Sequence, residues 1–267
     1  GRALNFVLGA AIFISGCILK LSTIKHVLKR YLGLFAFRTA LCAAFGVLFY
    51  RLFGLEGVLG ISLIAFIAST TSMNPSIFLA VMEDFGDEVD TSAFGLISLL
   101  STPVIPLLIF GLTQPTKIDI LPIVSIVVPL ILGVIVGNLD PDLGSFMASG
   151  MPFTIFMLGW CVGARIDLLE AFRAGFAGIV MVVLYYALTV LPVLLFEKKI
   201  QKGSGISTFG ISTMAGLSAS VPLTIAETNP EIAKFAPRAA AIVTMGVVIT
   251  SIVSPYFAKK AATKAKN

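Results

Sequence analysis

The chain is made of apolar runs long enough to cross a bilayer, and they leave little room for another architecture. A helical span takes roughly 20 apolar residues. Nine segments qualify: residues 3–19, 33–53, 55–83, 91–113, 118–138, 143–164, 175–196, 205–236 and 237–258. Stretches such as Ile118 to Val136 show no apolar–polar alternation, so barrel strands fit poorly. Lipid offers no partner to unpaired backbone, and an all-α polytopic membrane protein follows. Composition agrees, with 57% hydrophobic and 12% charged residues. Soluble domains carry about 45–50% apolar and about 25% charged residues. A soluble enzyme, a secreted scaffold, a disordered chain and a fibre are excluded on that ground. The first segment lacks the basic start and cleavage site of a signal peptide and reads as structural.

Lys and Arg gather beside the runs, so the net charge of +5 reflects membrane orientation and not a nucleic-acid partner. If the segment ends alternate, one side holds Lys20, Lys25, Lys29, Arg30, Lys198, Lys199, Lys202, Lys259, Lys260, Lys264 and Lys266. The other holds Arg2, Arg51, Lys117, Arg165, Arg173, Lys234 and Arg238. Eleven against seven makes the first side cytoplasmic, with the C-terminus inside. The acidic run Glu83, Asp84, Asp87, Glu88 and Asp90 falls on that side as well.

The two halves resemble each other at an offset of about 144 residues. Gly16-Cys17 sets against Trp160-Cys161, Leu21 to Ile24 against Ile166 to Leu169, Gly33 against Gly178, and Glu83 against Glu227. Ser98 to Pro103 resembles Thr250 to Pro255. The order is span, amphipathic loop, span, long segment, span. Residues 1–117 form the first repeat and 118–267 the second. A five-span unit places its copy upside down in the membrane. The first half has four segments, so a span before Gly1 is expected to be missing.

Segments 55–83 and 205–236 are too long for simple spans. A continuous helix of about 30 residues runs roughly 45 Å, against a hydrocarbon core of about 30 Å. Each carries small and polar residues mid-way: Ser69 to Ser76 in one, Ser212 to Pro222 in the other. Pro75 disfavours helix at Asn74, and Pro222 with Gly216 predicts a second break. Broken backbone at membrane depth is tolerated where it lines a cavity. Half-helix N-termini suit an anion, and hydroxyl and amide side chains add neutral donors and acceptors. Thr71, Ser72, Asn74, Thr213, Ser218 and Ser220 are therefore candidate substrate ligands near the midplane. Close helix packing by small residues is the alternative use of the same stretches.

At these residues the sequence resembles the 2-keto-3-deoxygluconate permease family. The clearest match is Ala215-Gly216-Leu217-Ser218-Ala219-Ser220-Val221-Pro222-Leu223-Thr224-Ile225-Ala226-Glu227, then Ala236-Pro237. Gly137-Asn138-Leu139-Asp140-Pro141 and Ile166-Asp167-Leu168 are also similar, and Asn74 falls on the family's Asn. Pro75-Ser76 departs from the family's Gly-Gly at that place. The resemblance implies an inner-membrane symporter bringing 2-keto-3-deoxygluconate into the bacterial cell with protons, and ten spans. It also implies the plan of bile acid/sodium symporters, in which two crossed broken helices separate a core from a panel.

Arg38 lies within the second segment. It either snorkels to the surface or serves as counter-charge to a substrate carboxylate, and the family-like sequences also carry a basic residue there. Glu227 and Glu83 sit at matching ends of the long segments and are candidate ion-coupling groups. A carboxyl partly out of water can carry a proton near neutral pH. Sodium is the rival ion, needing a cage of oxygens. No cofactor or metal is expected: His26 is the only His, and no Walker sequence occurs. Cys17, Cys42 and Cys161 lie in apolar runs and read as small hydrophobes. Trp160 and the five Tyr residues read partly as interface anchors, and the tail from Lys259 as frayed. A passive channel would need polar residues along several spans, and an intramembrane enzyme a nucleophile–base pair or metal cluster. The leading reading is a secondary transporter for a small anionic sugar acid.

Overall fold

The computed structural model describes residues 2–113, 120–164, 168–214 and 216–266. Its regular structure is all helix, with no strand among the described residues beyond one isolated bridge, Val58 to Ile61. The first half contains α1 (Arg2–Ile18), α2 (Ile24–Phe53), α3 (Leu63–Thr71), α4 (Pro75–Phe85), α5 (Glu88–Ser92), α6 (Phe94–Leu100) and α7 (Val104–Thr113). The second contains α8 (Ile120–Leu139), α9 (Pro141–Ser149), α10 (Met151–Gly163), α11 (Leu168–Tyr185), α12 (Leu191–Lys199), α13 (Ile206–Ile211), α14 (Gly216–Thr228), α15 (Pro230–Ala233) and α16 (Ala236–Lys266). A π-turn, Tyr186–Val190, joins α11 to α12 just before Pro192. Among the described residues four stretches are long and apolar enough to cross a membrane: Ile24–Phe53, Leu63–Phe85, Ala174–Lys199 and Ala236–Lys264. The pair Glu88–Leu100 and Val104–Thr113, bent by 47°, makes a fifth if taken as one span. This is a multi-pass membrane protein in outline, and large apolar side chains such as Ile131, Ile135, Phe156, Phe176 and Ile252 stand exposed on its outside.

The long segments break, but not everywhere the prolines predict. In the first, α3 ends at Thr71 and α4 starts at Pro75, with Asn74 as N-cap. Pro75 sits at N1, where its missing N–H costs nothing. In the second, the break takes in 212–214, after α13 and ahead of α14, and Pro222 is carried inside α14. The expectation of a break at Pro222 is corrected. Thr224 Oγ1 turns back to Ser220 O at 3.1 Å, so that hydroxyl is satisfied within α14. The run 55–62 is not helix but a tight turn, with Gly57, Leu59 and Gly60 at positive φ. The amphipathic stretch before residue 33 is not separate, because α2 runs unbroken from Ile24. Segments 91–113 and 143–164 are themselves interrupted, at 101–103 and at Gly150. The tail is helix to Lys266 and not frayed, with Ala258, Ala261 and Ala262 buried. Ala and Lys are strong helix formers, which favours that continuation. Of the five Tyr residues, Tyr31 and Tyr185 are core and not interface anchors. Lys117, Arg165, Ile166 and Asp167, used in the side assignment and the repeat, lie outside the described residues.

Close packing is set by glycine. α1 crosses α8 so tightly that a Cβ at Gly133 or Gly137 would fall on the carbonyl oxygens of Phe13 and Cys17, and one at Gly16 on Leu130 O. Small residues spaced four apart let helix backbones approach in this way. Asn138 locks the same corner, donating Nδ2 to Leu19 O and Val134 O, both 2.8 Å, and accepting from Leu21 N at 2.9 Å. Asp140 then caps α9 through Leu143 N at 2.9 Å. At the end of the bundle where α2 starts, Arg30 meets Asp87 at 2.6 Å and Asp90 at 2.7 Å. Tyr31 OH reaches Asp90 at 2.8 Å and Ser207 Oγ at 3.3 Å. The Arg30 hydrogen bond holds the Asp87 carboxyl below the usual carboxylate range. At the opposite end Lys234 pairs with Glu56 at 3.2 Å.

Candidate functional site at the crossing of two broken helices

The two breaks meet. α4 packs on α13, and α3 on α14, so the halves of the two segments cross. Ser72 Oγ donates to Ser218 Oγ at 2.7 Å, and Asn74 Nδ2 to Met214 O at 3.5 Å. The N-termini of α4 and α14 thus begin beside each other. Their aligned peptide dipoles favour negative charge, although α4 adds few N–H groups of its own, since Pro75 has none and that of Ile77 is held by Asn74. Asn74 Oδ1 accepts from Ile77 N at 3.2 Å, so this side chain both caps α4 and tethers it to the other break.

The first break is gripped from α2. Arg38 is 3% exposed. Its Nη2 donates to Ser72 O at 2.6 Å and Thr70 O at 3.0 Å, and its Nη1 to Thr71 O at 3.1 Å. Snorkelling is therefore corrected: the guanidinium turns inward to the end of α3. These are orphan carbonyls of a helix end, and Thr71 O faces a position where Pro75 has no N–H to give. Tyr185 OH stands within 3.5 Å of both Arg38 Nη2 and Ser72 O, and Cys42 Sγ donates to Thr70 O at 3.2 Å. The second break is held from α16 by neutral groups. Thr250 Oγ1 accepts from Met214 N at 2.9 Å, and Ser254 Oγ donates to Ser212 O at 2.5 Å.

Of the residues singled out from sequence, the structure assembles Arg38, Thr71, Ser72, Asn74 and Ser218 around the crossing. Thr71 Oγ1 is occupied by Ile67 O at 2.7 Å, so its side chain faces its own helix. Thr213 is fully buried at the second break, and its hydroxyl has no hydrogen-bond partner, as is true of Ser69 in the first long segment. Ser220 is buried in α14, two residues beyond Ser218. Glu83 and Glu227 are exposed and lie nine residues beyond Asn74 and Ser218. At 1.5 Å per residue that is about 14 Å along α4 and α14, away from the crossing. Among the described residues no cluster of His, Cys, Asp and Glu could hold a metal.

Sequence reasoning missed Tyr185, Cys42, Thr250 and Ser254 as supports of the breaks. The Thr250–Ser254 pair was visible as two hydroxyls four apart, one face of a helix. Glu197 was also missed. It is 4% exposed, with Oε1 accepting from Gly205 N at 2.8 Å and Oε2 from Thr208 N at 2.8 Å and Thr208 Oγ1 at 2.5 Å. It closes the outer end of α13, beside a polar cavity of about 480 Å3 lined by Lys29, Tyr31, Asp90, Gln201 and Ser207 among others.

The family model described as 2-keto-3-deoxygluconate permease matches residues 2–267, essentially the whole chain. The chain belongs to that family. Members are permeases, so it is a transport protein and not an enzyme. It is 33% identical over 222 residues to 2-keto-3-deoxygluconate permease 1 of Salmonella typhimurium, covering 80% of this chain and 69% of that protein. It is 32% identical over 254 residues to the 2-keto-3-deoxygluconate permease of Xanthomonas euvesicatoria pv. vesicatoria, covering 93% and 80%. With the Escherichia coli protein of that name identity is 28% over 254 residues, covering 93% and 78%.

Proposed function

We propose that this family member is a secondary active transporter importing 2-keto-3-deoxygluconate, or a similar small sugar acid, with protons. The observation that carries the reading is the meeting of the two breaks, where Ser72 bonds Ser218 and Asn74 reaches Met214. Two half-helix N-termini there supply a field that favours an anion, while Ser72, Ser218, Ser220 and Thr213 supply groups matched to sugar hydroxyls, Thr71 contributing its backbone and not its hydroxyl. The relatives' names give the substrate. Alternating access then works by moving the crossed core, α3–α4 with α13–α14, against the remaining helices. In this reading residues 1–117 and 118–267 are inverted repeats, with nine spans between them. The protein resides in the bacterial inner membrane with its C-terminus cytoplasmic, surrounded by the lipid bilayer.

Glu227 and Glu83, at the solvent ends of α14 and α4, are the candidate proton carriers. A sodium-coupled reading is favoured by one feature, the carbonyl and hydroxyl oxygens gathered at both breaks. The test is uptake of labelled 2-keto-3-deoxygluconate by proteoliposomes under imposed proton or sodium gradients. Accumulation above the external concentration with an inward proton gradient, weakened in Glu227→Gln, is expected. Accumulation driven by sodium alone selects the sodium reading, and uptake that only equilibrates means a passive channel.

A further inference from the structure

We infer that Arg38 is a positioning residue: it makes the crossing selective for an anion by neutralising the carbonyl end of α3, without itself touching the substrate. The anion in this statement rests on the proposed sugar-acid reading; the positioning does not.

The argument starts from what a break does to charge. Where one helix ends and another begins, the negative carbonyl end of the first lies beside the positive N–H end of the second, and the two partial charges offset each other. At the first break α3 ends at Thr71 and α4 begins at Pro75, so such cancellation is expected. Arg38 removes it. Both Nη atoms are committed to the carbonyls of Thr70, Thr71 and Ser72, the last three before the chain unwinds fully. With a full positive charge laid over the end of α3, the N-terminus of α4 stands uncancelled next to that of α14.

Direct ligation fits the same atoms poorly. A carboxylate taking the forked end of the guanidinium would displace three carbonyl oxygens; Cys42 Sγ and Tyr185 OH reach those of Thr70 and Ser72, but Thr71 O, opposite the nitrogen of Pro75 that has no hydrogen, would lose the donor that Arg38 gives it in a buried site. Of its five N–H groups, the Nε–H and one of the two on Nη1 remain outside these bonds. The second break reinforces the assignment by contrast. Its carbonyl at Ser212 meets the neutral Ser254 hydroxyl, and its Met214 N–H meets Thr250. Among the described residues the two breaks are therefore unlike: the first carries a cation and is bound to α2, the second carries none and is bound to α16. The anionic end of a substrate belongs at the first break, over Asn74 and the start of α4.

Cys42 provides a reporter. It lies one turn beyond Arg38 on the same buried face of α2, and its thiol donates to the same Thr70 carbonyl. Losing the guanidinium frees residues 70–72 and opens that thiol to reagent. The experiment uses the full chain in detergent and in proteoliposomes, as native protein, Arg38→Lys and Arg38→Gln. N-ethylmaleimide modification is followed residue by residue by peptide mass spectrometry, without substrate. Cys17, buried where α1 crosses α8, is the internal control. The expected rate at Cys42 rises about tenfold in Arg38→Gln and several-fold in Arg38→Lys, with Cys17 unchanged, as for a local opening. In parallel the uptake KM for 2-keto-3-deoxygluconate rises at least about tenfold in Arg38→Gln, and Lys recovers most of it. An unchanged Cys42 rate with a raised KM overturns the inference and makes Arg38 a direct ligand. A raised Cys42 rate with an unchanged KM overturns the selectivity. If Arg38→Gln does not fold, the Cys42 rate in Arg38→Lys decides alone, and no rise there overturns the positioning role. If the native protein carries no 2-keto-3-deoxygluconate, the proposed function fails while the substrate-free Cys42 rates still decide that role.

Discussion

At the residue scale, Asn74 is the side chain with two separable duties. Its Oδ1 caps α4 through Ile77 N, and its Nδ2 reaches Met214 O in the other broken segment. Asn74→Ala loses both, and the lost cap alone costs about 0.5–2 kcal/mol. Asn74→Asp keeps the acceptor, removes the donor and puts a negative charge where the anion is proposed to sit. The expected outcome is near-native thermal stability for Asp, a lower stability for Ala, and uptake at least as badly impaired in Asp as in Ala. An Asp variant that transports well would remove Asn74 from the site. The polar residues 69–76 and Asn74 itself were legible in the sequence, because such side chains are out of place in the middle of an apolar run. What Arg38 touches was not legible. Its place in an apolar run left snorkelling and an inward-turned charge both open, and its partners are backbone carbonyls of another helix, of which sequence spacing carries no trace.

At the element scale, existence was legible and boundaries were not. The break at Asn74–Pro75 is where local chemistry placed it, since the proline sits at the first turn of the new helix. Pro222 misled for a tertiary reason: α14 is packed between α3, α10 and α16, and it continues through the proline. The real second break is set by hydroxyls from α16, 36 and 42 residues away in sequence. The α1–α8 crossing gives a cleaner test of an element contact. Gly133→Leu or Gly137→Leu would drive side chain into the backbone of α1 and cost about 1–3 kcal/mol or more. Gly9→Ala on the same α1, with nothing within 4 Å of the added Cβ, should be neutral or slightly stabilising. Thermal unfolding in detergent, followed by size exclusion, checks this: equal loss at Gly9 and Gly133 would disprove the close crossing.

At the scale of the whole molecule, the two ends of the bundle are tied unequally. At one end Arg30 bridges Asp87 and Asp90 while Tyr31 ties Asp90 to Ser207, joining α2, α5 and α13. At the other the Lys234–Glu56 pair has side chains 64% and 77% exposed, the kind of contact that contributes little. Lys234→Ala should leave Tm and uptake unchanged within error, whereas Arg30→Ala should lower Tm and alter the uptake rate. The Arg30 tie also has a pH signature. Asp87 is held below its ordinary value, so the stabilisation is fully present above about pH 4 and is lost only as pH falls further through the depressed value. Tm of Asp87→Asn should therefore fall less steeply than native on acidification below that point. The apolar pattern foretold a helical membrane protein; contacts between its ends are relations across the chain that no local pattern encodes.

One short helix shows what such ties do mechanically. α13 has six residues, too few to bend. Glu197 clamps its outer end through Gly205 and Thr208, and Ser254 clamps its inner end at Ser212. Fastened at both ends, it acts as a strut. A shift of α12 is expected to be handed on to Ser212 through α13 and not absorbed between them.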